Sequence, residues 1–173
     1  MAKFTYAGQL NGAENPVALD IVIKNSAAVV VDNPVYLSSG VTPATTSSRI
    51  LGICVGIYKD QIPLENVAAA DLDGTYAPST QTYTAASDNV TVAKIKAKVV
   101  VDKWALWKND ADADMTVLME GQLFHLASAS QIDGDTNAAD KGQFVLIKVD
   151  PTDASVGTFC IAESSLDPYV QIT

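Results

Sequence analysis

The residues that could do chemistry are few. The chain has one histidine, His125, and two cysteines, Cys54 and Cys160. His125 lies in Phe124-His125-Leu126, an apolar run with the look of a strand. A catalytic triad needs a nucleophile beside a base that a third group orients. No G-x-S-x-G is present, so His125 reads as structural. Both cysteines sit inside apolar runs and read as small buried hydrophobes. A disulfide between them is the alternative, which spacing alone does not decide. One histidine and two strand cysteines do not make the three or four ligands of a zinc site. Neither G-x-x-x-x-G-K-[ST] nor G-x-G-x-x-G occurs. Paired carboxylates for glycoside hydrolysis are defined by separation in space, which a sequence does not give. No catalytic residue, metal or cofactor is therefore expected, and an enzyme is the least favoured class.

Three other groups have suggestive spacing. Asp110, Asp112 and Asp114 alternate as oxygen ligands of calcium would. An EF-hand loop counted from Asp110 needs glycine sixth and glutamate twelfth, but Met115 and Gly121 stand there. Asp133, Asp135 and Asn137 repeat the alternation and fail the same test, at Ala138 and Phe144. A looser oxygen-ligand site is the remaining alternative. Trp104 and Trp107 could form a sugar platform, but tryptophans so placed are more often core or interface anchors. Lys94, Lys96 and Lys98 alternate with Ile95, Ala97 and Val99, giving one lysine face and one core face. Such a row protects a sheet edge, meets acidic neighbours in its own sheet, or contacts an acidic protein partner.

The elements that must position these groups read as strands. The centre is the stretch from Val29 to Tyr58. It holds Val29-Val30-Val31, a turn at Asp32-Asn33-Pro34, Val35-Tyr36-Leu37, a polar Ser/Thr loop to Ser48, and the run Ile50 to Tyr58. Leu51, Ile53, Val55 and Ile57 share one face of that last run. Further strands are expected at Val17–Lys24, Val90–Val101, Gln122–Leu126, Gln143–Asp150 and Gly157–Ala162. A last strand is expected within Leu166–Thr173, and a short helix at Glu65–Leu72. Met1–Pro16 carries only a short strand at Lys3–Tyr6 and reads as an N-terminal arm or edge segment. Residues 17–173 form the β-rich body. Tyr76–Asn89 reads as a long loop, with a linker between two lobes as the alternative. The fold class is all-β: a β-barrel or β-sandwich of short antiparallel strands with long loops and at most one or two short helices.

Composition narrows the partners. The chain has 173 residues, 48% of them hydrophobic and 18% charged, so it can bury a core without staples. Twenty Asp and Glu face eleven Lys and Arg, for a net charge of −9. Binding to phosphate backbones or to anionic membrane surfaces needs the opposite balance, so neither nucleic acid nor membrane is expected. No targeting signal and no run of about twenty apolar residues is found, which reads as a protein made in a cytoplasm.

One resemblance adds to this. Val29-Val30-Val31-Asp32-Asn33-Pro34-Val35-Tyr36-Leu37-Ser38-Ser39-Gly40, followed by Arg49-Ile50-Leu51-Gly52-Ile53-Cys54-Val55-Gly56, resembles the β-rich capsid cement or head-decoration proteins of tailed bacteriophages. Gly142–Val149 is similar to closing strands of phage virion proteins. The resemblance covers about a third of the chain. It implies a non-enzymatic virion protein, made in the host cytoplasm, that binds the outer capsid surface and stabilises it. The implied partners are the major capsid protein and further copies of the chain, with a trimer favoured. The residues expected at the partner surface are Lys3, Phe4, Tyr6, Lys94, Lys96, Lys98, Trp104 and Trp107. A carbohydrate-binding or adhesin-like virion module is the alternative, motivated by the two tryptophans and the Ser/Thr loops.

Overall fold

The computed structural model describes residues 3–137 and 142–163. The protein is all-β: 48% is strand, and no helix reaches seven residues among the described residues. The strands form three antiparallel sheets, none of them closed into a barrel.

The Val29–Tyr58 stretch builds the middle of the molecule. Strands β2 (Ala18–Val22), β4 (Pro34–Leu37), β5 (Val41–Pro43), β6 (Gly52–Lys59) and β10 (Lys96–Val100) form a sheet in the order β2-β10-β6-β4-β5, with β7 (Ile62–Pro63) hairpinned onto β6. Strand β6 lies between β10 and β4. Leu51, Gly52, Ile53 and Cys54 are all buried, and the register with β10 skips Val55, so the single face expected for Leu51, Ile53, Val55 and Ile57 is broken there and only Ile57 is buried between Val55 and Lys59. Gly52 is required by close approach: a Cβ there would sit 2.0 Å from the Val100 carbonyl oxygen. Asp60 and Gln61 turn the β6–β7 hairpin with φ of 49° and 69°. Both positive values match the twist that a two-residue hairpin needs.

The C-terminal half makes the second sheet. Strands β1 (Thr5–Gln9), β11 (Ala105–Asp110), β15 (Val156–Ile161), β14 (Phe144–Val149), β12 (Leu123–Ser128) and β13 (Gln131–Asn137) follow one another in that spatial order. A single parallel bridge from Ala111 to Ile132 brings the β13 edge back toward β11. The first strand of the chain therefore completes the sheet made by the last ones. Phe4 is fully buried and stacks on Phe144 with ring centroids 5.1 Å apart, while its N–H donates to the Asp32 carbonyl. Of the expected arm or edge segment, the structure forms an edge strand, tied down at Phe4 and paired at Thr5–Gln9, because burying one large aromatic outweighs the entropy of a mobile end.

The third sheet corrects the reading of 76–89. Strands β8 (Gly74–Ala77) and β9 (Thr82–Ala85) form a hairpin, and β9 also pairs with β3 (Ala28–Val30). Tyr83 is wholly buried, so the segment is neither a long loop nor a linker. The helix expected at Glu65–Leu72 is two separate 3-10 turns, Leu64–Asn66 and Ala69–Asp71, with Val67 and Ala68 extended between them. Alanine propensity alone does not offset the cost of nucleating a helix this short. A third 3-10 turn spans Val117–Met119. The strand expected within Leu166–Thr173 lies outside the described residues.

One continuous core joins the sheets, including Val29 and Tyr83 of the third sheet, Ile53 and Val99 of the central one, and Phe124, Phe144 and Phe159 of the C-terminal one. Gln143, itself buried, closes the seam. Its Oε1 accepts from Leu126 N–H, and its Nε2 donates to the carbonyls of Thr45 and Ser48, so the segment after β5 is pinned to the C-terminal sheet; the loop expected up to Ser48 is in fact a β4–β5 hairpin followed by a short turn.

Candidate interaction surfaces

The lysine row does not guard an edge. Strand β10 is central, paired with β2 on one side and β6 on the other. Lys96 and Lys98 point to the outer face of the sheet, because Ala97 and Val99 fill the inner one. Across the ladder Lys98 faces Asp20 and Gly56, and Lys96 faces Tyr58. Lys94 stands at the entry turn with φ of 52°. Asn89 holds that turn: its wholly buried amide donates to the carbonyls of Ile23 and Ile95 and accepts from Ile95 N–H. The three lysines, Asp20, Tyr58, Asp60 and Gln61 line a depression of about 680 Å³. The Lys98 ammonium lies 5.9 Å from the centroid of the Tyr58 ring. Of the expected uses of this row, the sheet places one acidic neighbour, Asp20, across from Lys98, with no ion pair between them.

The second surface surrounds the first strand. Tyr6, Leu10, Val17 and Trp104 are all exposed, Trp104 to 46%. A backbone bond joins two of them, Leu10 N–H donating to the Trp104 carbonyl, and Val17 is held by its own carbonyl, which accepts from Val101 N–H. Asp102 organises the corner, accepting from Val17 N–H and Trp104 N–H and from the Gln9 amide. The Lys103 ammonium caps the Trp104 ring at 5.3 Å. Strand β1 ends its sheet, so its outer side carries unpaired ladder groups among the described residues.

The residues expected at a partner surface therefore divide. Tyr6, Trp104, Lys94, Lys96 and Lys98 are accessible. Phe4 and Trp107 are core, the latter 1% exposed and met edge-on by Tyr6. Trp107 shares the inward parity of Ala105 and Asn109 on β11, whereas Trp104 precedes the strand. A platform of two tryptophans is thus not formed. Lys3 is engaged within the fold, its ammonium 2.7 Å from Gln81 Oε1 and 3.3 Å from Asp32. Leu10, Val17 and the Tyr58 depression were not singled out by the sequence. Pairing across strands, which no single-strand pattern encodes, brings them together.

The groups with conventional chemistry lie apart. Cys54 and Cys160 are both free and belong to different sheets. Burial pushes the Cys54 thiol up to about 12; its hydrogen bond to the Gly56 carbonyl opposes this and the Asp32 charge adds to it. Burial pushes Cys160 in the same direction. His125 sits on β12 between the buried Phe124 and Leu126. The Asp112 carboxylate accepts from Gly134 N–H, so it braces β13. No group of three or more His, Cys, Asp or Glu side chains converges as a metal site would among the described residues. Asp150 accepts from the Thr152 hydroxyl and N–H and then from Lys108, which together hold its carboxyl well below the usual range.

Comparison with known protein families, with curated proteins and with solved structures finds no match.

Proposed function

We propose that this chain is a non-enzymatic structural protein of a tailed-phage virion that docks on the outer capsid surface and stabilises the shell. The observation that carries the reading is the β1 edge. It joins a strand edge that is unpaired among the described residues and carries exposed Tyr6 to the exposed apolar side chains of Leu10, Val17 and Trp104 beyond the end of the strand. Strand addition at such an edge takes affinity from main-chain hydrogen bonds and specificity from flanking side chains. Exposed aromatics beside a well-ordered corner are the usual anchors of protein interfaces. The two segments that resemble decoration proteins also support the reading, because they pair with each other through Val35 and Gly52.

The partner in this reading is the major capsid protein, and the chain acts as a homo-oligomer, with a trimer favoured. The stabilisation is linkage. A protein that binds only the assembled shell contributes about 2.7 kcal/mol at a hundredfold excess over its dissociation constant. Several linked copies bridging neighbouring subunits raise this further.

Deletion of residues 1–16 is a poor test, since Phe4 belongs to the core. Leu10→Asp and Trp104→Ala change only exposed side chains. Both are expected to weaken co-sedimentation with expanded, undecorated capsids at least tenfold, with an unchanged urea unfolding midpoint. Binding equal to that of the parent chain would rule out the β1 edge as the docking surface.

A further inference from the structure

We infer that the lysine-lined depression on the outer face of the central sheet binds an acidic carbohydrate, a glycan bearing uronate-type carboxylates. This goes beyond docking on a shell and uses a separate surface. The depression of about 680 Å³ falls within the volume range of small-molecule sites. Its lining is mixed: Lys94, Lys96 and Lys98, then Asp20, Asp60 and Gln61, and one aromatic ring, Tyr58.

The mixture decides the ligand class. No ion pair joins any of the three lysines to another described residue, whereas Lys3, Lys59, Lys103 and Lys108 each have one. On a chain of net charge −9, this clusters three of its eleven cations on one face. Lysine ammonium groups are compact charges that suit a carboxylate. Lys96 and Lys98 stand two residues apart on one strand face, a spacing of roughly 7 Å. Asp20 and Asp60 would repel a ligand that is anionic throughout, such as polyphosphate or a run of acidic side chains. They suit a ligand that also donates hydrogen bonds, as sugar hydroxyls do. Gln61 can accept or donate beside them. The Tyr58 ring lies against Gly56, where a Cβ would come within 2.7 Å of it, and has the Lys98 ammonium 5.9 Å from its centroid, so a sugar carboxylate that meets this ammonium brings its C–H groups beside the ring. A uronate accounts for every group in the lining: carboxylate to lysine, hydroxyls to Asp20, Asp60 and Gln61, ring to Tyr58.

The site is rigid by construction. Tyr58 and Lys96 are cross-strand partners, and Asp60-Gln61 is a two-residue turn. The Lys94 turn is fixed by the buried Asn89.

The test is titration calorimetry on the whole chain with tetragalacturonate, its methyl ester, tripolyphosphate and a tetraglutamate peptide. Saturable binding of tetragalacturonate is expected, weakened at least tenfold by esterification and by raising salt from 50 to 500 mM. Lys96→Gln with Lys98→Gln should lose binding at least tenfold, while Lys96→Arg retains it. Tyr58→Leu, which keeps the charge, should lose severalfold. Absence of tetragalacturonate binding overturns the inference. So does equal or tighter binding of tripolyphosphate or tetraglutamate, which would make the face a general anion or acidic-peptide site. Shell co-sedimentation of the lysine variants separates this outcome from that of the docking reading, because shell binding should be unchanged in them.

Discussion

Replacing Phe4 by alanine distinguishes a free N-terminal arm from a structural one. Phe4 is fully buried, stacks on Phe144 at 5.1 Å, and donates its N–H to Asp32 in the turn between β3 and β4. It therefore joins the C-terminal sheet to the central region from the fourth residue of the chain. Removing the ring loses about 2–3 kcal/mol of apolar transfer and about 1 kcal/mol of ring–ring contact. With the cavity left behind, the expected cost is about 3–5 kcal/mol. For a domain whose total stability is about 5–15 kcal/mol, this is a large fraction. With a urea dependence of about 2 kcal/mol per molar, the unfolding midpoint should fall by about 2 M. The assay is equilibrium urea unfolding followed by tryptophan fluorescence, since Trp107 lies in the same sheet. A solvated arm residue would shift the midpoint by no more than about 0.3 M, from a surface effect within about 0.5 kcal/mol. A shift that small would refute the reasoning and return Met1–Pro16 to the role of a free arm.

Other substitutions probe the remaining structural claims. Gly52→Ala places a methyl against the Val100 carbonyl and should cost more than about 3 kcal/mol or prevent soluble expression; a near-normal midpoint would show that β6 and β10 are spaced more widely. Gln143→Leu strands Leu126 N–H and the Ser48 carbonyl and leaves the Thr45 carbonyl with the Ser48 N–H alone, for an expected loss of about 3 kcal/mol and faster amide exchange at Leu126. The buried Cys54 thiol keeps its proton in the fold while the unfolded chain releases its own near pH 9. The folded state then binds more protons, so stability should fall as pH rises from about 9 toward 12. Cys54→Ala should flatten this alkaline slope without abolishing it, because Tyr76 and Tyr83 are pushed the same way. Iodoacetamide at pH 8 should label Cys54 slowly in buffer and fast in 8 M urea.

Much of the fold was legible where one strand carries its own period. The lysine alternation at 94–98 marks the outer face of β10, and the apolar runs after Gln143 and Gly157 are β14 and β15. What was hidden depends on pairing between distant segments. The β8–β9 hairpin was obscured by its Ser, Thr and Ala content, although Tyr83 and Ala85 alternate inward there. Phe4 is one aromatic in a polar segment, and nothing local says that it meets Phe144. The difference between Trp104 and Trp107 was readable in principle, from the inward parity of Ala105, Trp107 and Asn109. The Tyr58 depression was not, because Asp20, Tyr58 and the lysines come from three strands.

The most direct test of the proposed docking is co-sedimentation with expanded, undecorated capsids of tailed phages, across a salt series. The account predicts saturable binding at a fixed ratio to the major capsid protein. Salt should have only a small effect, because the side chains at the proposed docking edge are apolar. Shells that stay undecorated at saturating protein, with the chain folded, would contradict it.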